Sequence, residues 1–267
     1  MNAVNAIKNW FYSLPDFALL LVVGAIVAGA IVLLPRLIAR LPWLKPSEDH
    51  TDFALRIQAT LFTMTSLVLA FTLVEADRNF RAVESVVTAE ASHLNRLDRL
   101  LFRYDEQAAL AVRPLLLDYA NSIVTDEWPA MKENSGSDRT RRAYGAVART
   151  VLALDPRSAR ETQIFGEMLR SLDALAESRD ARLAAVGEGL PWAYWFVVVF
   201  AVTMLLFVSS NIRPTAYRAT VMAAQLSVIG VFIGFVIIMD QPFNGDTVVH
   251  AAAIEKTIKV IKARGAT

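Results

Sequence analysis

The residues able to do chemistry are few and poorly spaced for it. The chain has 267 residues, three histidines (His50, His93 and His250) and no cysteine. The histidines have no metal-ligand spacing to one another, and without cysteine there can be no disulfide, thiolate metal site or thiol nucleophile. No glycine-rich phosphate loop and no nucleophile-elbow serine occurs. Most acids fall on amphipathic patterns, where a solvated face is their ordinary place. Neither an enzyme nor a metal or other cofactor is expected. Lys and Arg number 27 against 26 Asp and Glu. The two signs are interspersed, so no nucleic-acid patch emerges.

What stands out is polarity set inside apolar runs. Four uncharged stretches, 17–34, 57–74, 190–212 and 219–239, have about the length needed to cross a hydrocarbon core. The second is the most polar and holds Gln58, Thr60, Thr63, Thr65, Ser66 and Thr72. Ala59, Thr63, Ser66 and Ala70 share one side at helical spacing. Such a stripe suits a pore face wetted by water or an ion. It suits close approach of a neighbouring helix equally well. Gly230-x-x-x-Gly234 and Ala25-x-x-x-Gly29 read as packing motifs of the same kind. Glu90 and Arg179 each stand where a three-and-four pattern calls for an apolar residue, and a charge there needs a partner. After the last run, Asp240-Gln241-Pro242-Phe243-Asn244-Gly245-Asp246 reads as a sharp turn carrying carboxylates beside the membrane. It has too few spaced oxygens for a cation site.

These residues must be held by helices. The chain is 55% hydrophobic with mean hydropathy +0.39, too apolar for an ordinary soluble domain. Trp10, Trp43, Trp192 and Trp195 lie near run ends, where aromatic rings favour the headgroup level. Nothing at the start reads as a cleaved signal. The expected architecture is an all-α integral membrane protein with four transmembrane helices in two hairpins and an inserted extramembrane helical domain. Residues 1–75 form the first hairpin, 76–189 the domain, 190–240 the second hairpin and 241–267 a C-terminal tail. Small-residue faces beyond what one four-helix bundle needs predict a homo-oligomer in the lipid bilayer.

Inside the domain, no Gly or Pro occurs between Glu75 and Arg113, so the second span is expected to run on unbroken. Its seam is Phe80, Val83, Val87, Leu94, Leu97, Leu101 and Tyr104, with Glu90 in register. A second helix over 107–128 is expected to bend near Pro114 and stop at Pro129, and a third to cover 139–154. Asp155-Pro156 reads as the start of a last helix with Phe165, Met168, Leu172, Leu175, Leu183 and Val186 on one face. At the α-helical rise, Glu90 lies roughly 22 Å and Arg179 roughly 16 Å from the membrane junction. On antiparallel helices the two are expected to pair.

The acid-Pro-Phe-Gly-acid order of Asp240 to Asp246 resembles the stretch after the last span of bestrophins, pentameric anion channels, with Asn244 as an extra residue between Phe243 and Gly245. The order of spans and domain is similar too. Glu90-Ala91, Tyr119, Glu127-Trp128-Pro129, Arg179 with Arg182-Leu183, Leu190-Pro191 and Asp240 to Gly245 resemble the bacterial bestrophin-like family more closely. The resemblance implies a pentameric channel of the bacterial inner membrane that passes inorganic anions. The second span would line the pore and the domain would form a vestibule. The alternative is a structural or sensory membrane protein whose helical domain binds a partner.

Orientation divides the two lines of reasoning. Arg36, Arg40, Lys45, Arg56, Arg213 and Arg218 lie on the short-loop side, which the positive-inside rule places in the cytoplasm. The bestrophin resemblance implies the reverse. With single cysteines at Ser137 and Ser47 and an impermeant maleimide on intact cells, the charge count predicts labelling at Ser137 and protection at Ser47. The opposite pattern puts the helical domain inside.

Overall fold

A computed structural model describes residues 15–38, 48–187, 189–212 and 215–265. Trp10, Trp43, Ser47, Arg40, Lys45 and Arg213 lie outside them, as do the side chains of Arg36 and His50. All regular structure among the described residues is helical. In chain order the helices are α1 (Asp16–Ile38), α2 (Glu48–Tyr104), α3 (Glu106–Ser122), a π turn (Ile123–Glu127), α4 (Trp128–Lys132), α5 (Asp138–Leu152), α6 (Ala159–Ala184), α7 (Trp192–Ser210), α8 (Ala216–Met239) and α9 (Ala252–Arg264). The chain divides into two compact units, one of residues 1–80 and 189–248, the other of 81–188 and 249–267. The stretch expected as a single tail, 241–267, is thus shared between them.

In the first unit, α2, α7 and α8 are long and apolar enough to cross a membrane, and the apolar part of α1 over Asp16–Ile31 is shorter. Pro35 does not end α1, which continues to Ile38. One core takes Ile31 from α1, Ala54 and Leu69 from α2, Val198 and Leu205 from α7, and Met222, Leu226 and Ile229 from α8. Within that apolar setting the Gln58 amide donates to the Gln225 carbonyl at 2.8 Å, so each side chain has a polar partner.

Among the described residues α1 packs most extensively on α8, not on its expected hairpin partner α2. The reason is missing side chains. A Cβ on Gly230 would sit 2.7 Å from the Gly24 Cα and 2.8 Å from the Val23 carbonyl oxygen, and one on Gly234 would lie 3.3 Å from the Leu20 Cα. The Gly230–Gly234 motif therefore meets Gly24. Ala25 is exposed and nothing lies within 4 Å of a Cβ at Gly29. Ala25 sits about 100° and Gly29 about 140° round the helix from Gly24, off the contact.

In the second unit the α2 seam packs as its spacing predicts. Val83, Val87, Leu94, Leu97 and Leu101 are buried, and so is Glu90. α2 stops at Tyr104 because Asp105 turns out of the helix and caps α3, accepting from the Ala108 N–H at 3.0 Å. Pro129 does not stop the next helix. The chain passes through the π turn into α4, with Pro129 in its first turn, where a missing N–H costs nothing. α6 is capped by Ser158, three residues beyond Asp155, and its hydroxyl accepts from the Glu161 N–H at 3.2 Å. α9 buries Ile254, Ile258 and Ile261.

The Gly24–Gly230 crossing makes a direct prediction. Gly230→Ala puts a methyl against backbone that cannot rotate away, and the overpacking is expected to cost about 1–3 kcal/mol. Gly29→Ala should stay within about 0.5 kcal/mol of the parent. Thermal unfolding in one detergent separates the two, and equal melting temperatures would refute the crossing.

Candidate functional site

Glu90 on α2, Glu127 at the end of the π turn, and Arg179 and Arg182 on α6 meet in one buried network. α6 presents Leu175, Arg179 and Arg182 inward at four- and three-residue spacing. The π turn takes one more residue per turn than an α-helix, which shifts the register after Ser122. Glu127 faces inward and is fully buried, while Asp126 stays outside and pairs with Arg139 at 2.5 Å.

Arg182 grips Glu90 with two donors, Nε to Oε2 at 2.7 Å and Nη2 to Oε1 at 3.1 Å. Its Nη2 also donates to Glu127 Oε2 at 2.8 Å. Arg179 donates to both oxygens of Glu127, Nε to Oε2 at 3.2 Å and Nη2 to Oε1. The Ser137 N–H donates to Glu127 Oε1 and the Tyr119 hydroxyl to Glu90 Oε1, each at 3.3 Å. The Trp128 ring lies with its centroid 5.4 Å from the Arg182 guanidinium carbon, within cation–π range. Two carboxylates and two guanidiniums thus leave water together as a neutral set.

Electrostatics follow from the geometry. Burial is the largest influence on Glu127 and acts upward, but the hydrogen bond from Arg179 and the charge of Arg182 outweigh it and hold the carboxyl below its ordinary range. Burial pushes the Tyr119 phenol well above its ordinary value, with the Glu90 charge adding to the effect. Neither Arg179 nor Arg182 loses its charge, since both are shifted up by their carboxylate partners despite burial.

Glu90 and Arg179 therefore share a network but are not each other's partner, as the depth argument had it. Glu90 takes Arg182 and Arg179 takes Glu127. Arg182 lies one helical step beyond Arg179 and is the more deeply buried of the two. A second carboxylate entered the same seam unnoticed. Asp98, one turn past Leu94, meets Arg113 of α3 at 2.9 Å and also Arg264 of α9. Arg264 reaches Asn95 at 3.0 Å, and Arg113 donates to the Ile261 carbonyl. Here desolvation wins, and the Asp98 carboxyl sits above its ordinary value despite two guanidiniums.

The turn motif uses its carboxylates on backbone. Asp240 accepts from the Leu190 N–H. Asp16 accepts from the Asp246 N–H at 3.3 Å and the Thr247 N–H at 2.8 Å, and Asp246 accepts in return from the Asp16 N–H at 3.2 Å. Pro242 and Phe243 are buried, and Gly245 takes a φ of +105° that a residue with a side chain rarely adopts. Among the described residues no group of three or more His, Asp or Glu is placed to hold a metal. Of the α2 stripe, Ala59, Thr63 and Ala70 are exposed and Ser66 is half-buried.

Membrane-length apolar helices, and a second helical unit tied by a buried neutral charge network, define a helical membrane protein. Residues 22–254 match the Bestrophin-like domain, and the chain belongs to the bestrophin-like family. Three similar folds are single-residue variants of a bacterial bestrophin homolog from Klebsiella pneumoniae. One has 11% identity and a TM-score of 0.68 over 93% of this chain and 98% of that one. A second has 12% identity and a TM-score of 0.67 over 94% and 99%. A third has 13% identity and a TM-score of 0.65 over 93% and 96%. No curated protein matches the chain at significance.

The network predicts unequal couplings. Glu90→Ala and Arg182→Ala should each destabilise by about 3–5 kcal/mol, because each strands a charge in a dry site. The double variant should cost well under their sum. The Glu90–Arg179 cycle should couple more weakly than the Glu90–Arg182 cycle. Denaturation in detergent measures both, and the reverse ranking would refute this pairing.

Proposed function

We propose that the chain is one subunit of a homo-oligomeric ion channel of the bacterial inner membrane, passing inorganic anions, with four spans in two hairpins. In this reading α2 lines the pathway and residues 76–189 form an extramembrane vestibule. Membership of the bestrophin-like family supports the reading, and the bestrophin resemblance implies a pentamer.

The observation that carries it is the bare side of α2. Thr65, Leu69, Thr72 and Ala76 are buried by their own unit, while Ala59, Thr63 and Ala70 are not covered. Beside them a strip of bulky apolar residues, Ile57, Met64, Leu67 and Phe71, is exposed as well. The bulky strip suits lipid or a neighbouring helix, and the small strip suits the pathway. The Thr63 hydroxyl donates to the Ala59 carbonyl at 3.1 Å, so its polar group is satisfied within the helix.

Chloride efflux from liposomes tests the reading. The parent should conduct, and Thr63→Leu should lower flux several-fold with the oligomer mass in mild detergent unchanged. Lost assembly would assign the stripe to helix packing, through an overpacking cost of about 1–3 kcal/mol. A parent that passes no ion would favour a non-conducting protein whose helical domain binds a partner.

A further inference from the structure

From Ser85 to Arg103, α2 turns a side of uniform sign to solvent. At 3.6 residues per turn Ser85, Ser92, Arg96, Arg99 and Arg103 lie within about 40° of one line along the helix, and Thr88 about 60° from it. All six are exposed. The row is about 27 Å long at the α-helical rise. It carries guanidiniums and hydroxyls and no acid. The acids that α2 has in this unit are elsewhere. Glu90 and Asp98 are buried, and Glu84 is turned about 100° from Ser85.

An exposed helix face ordinarily mixes signs, because neighbouring opposite charges support each other. α6 does so, with Arg170, Asp173, Glu177 and Asp180 all exposed. On the α2 row the cations are poorly compensated. Arg96 meets Glu167, but Glu167 also holds Arg170 at 2.5 Å. Arg99 and Arg103 form no ion pair among the described residues, and the Ser85 and Ser92 hydroxyls make no hydrogen bond there. Arg160 of α6 brings a further guanidinium to the lower end, donating to the Arg103 carbonyl at 3.3 Å. The nearby acids Asp155 and Glu161 act on Tyr104, which points about 100° away from Arg103.

We propose that this row is the anion-attracting wall of the vestibule, with Arg99 and Arg103 as the residues that set a preference for anions over cations. The assignment rests on the reading of the chain as a channel whose pathway α2 lines. A wall of one sign concentrates ions of the other sign beside it. Repeated in each copy, the row supplies rings of arginine, which favour anions in pores. Guanidiniums exposed to water attract an anion without holding it. The free serine hydroxyls offer it donors between the arginines.

The full-length protein in a planar bilayer under asymmetric KCl tests the assignment through the ratio of chloride to potassium permeability. The parent should favour chloride. Arg99→Glu with Arg103→Glu should lower the ratio several-fold, most at low ionic strength, where screening is weakest. Arg99→Lys with Arg103→Lys should keep it. Arg142→Glu, at an exposed position on α5, should leave it unchanged. The chain has no cysteine, so Ser92→Cys gives a second readout in protein that has already folded. A negatively charged methanethiosulfonate should lower the ratio there, and a positively charged one should not. A parent that favours potassium, an unchanged ratio on charge reversal or on modification, or an equal shift from Arg142→Glu would overturn the assignment and leave the channel standing. A parent that passes no ion would remove the channel and this assignment with it.

Discussion

The helical unit is organised by one requirement: charges taken out of water must leave as a neutral, fully bonded set. An isolated carboxylate or guanidinium in a dry interior costs several kcal/mol even after relaxation. Glu90, Glu127, Arg179 and Arg182 meet that cost by sharing donors, and the sharing fixes the helices that carry them. α2 cannot slide along α6 without separating Glu90 from Arg182. The turn after α3 cannot relax to a plain α-helix without turning Glu127 away from both arginines. The π turn, an arrangement poorer in hydrogen bonding than an α-helix, is held by what it delivers.

The membrane unit works by the opposite means. Lipid offers no water to expel between helices, so contact comes from close approach and from polar pairs that satisfy each other. Gly24 against Gly230 supplies the first and Gln58 with Gln225 the second. Acidic side chains appear where α1 begins and just after α8 ends, and there they bind backbone N–H groups. Asp16 and Asp240 are thus structural ties between chain segments far apart in sequence.

Much of this was legible residue by residue. The absence of Gly and Pro after Glu75 foretold the unbroken α2, and three-and-four spacing picked out Val83 through Leu101 as its buried side. The same periodicity flagged Glu90 and Arg179 as charges in a seam. It failed to flag Glu127, because an inserted π turn breaks the arithmetic that periodicity depends on. Arg182 was visible, one three-residue step beyond Arg179, but Leu183 beside it was the more natural core residue by type. Pairing was illegible because depth from the membrane fixes height along a helix and not the angle around it. Tyr119, Glu127 and Arg182 entered the sequence reading only through the family resemblance, and they lie together with Glu90 and Arg179. The contact of α1 with α8 was hidden for a related reason. A small-residue motif shows that a face can be approached closely and leaves open which helix approaches it.

The clasp between Asp16 and Asp246 has a bearing on how the protein is made. Its two halves are 230 residues apart. A ribosome adding about 5–20 residues per second needs roughly ten to fifty seconds to pass from one to the other. During that interval Gly24 of α1 lacks the close partner it has in the folded chain, because Gly230 has not been synthesised. The ends of α1 and α8 can therefore lock together only after both have been made. A chain interrupted before α8 would leave the Gly24 face of α1 without the helix it packs against.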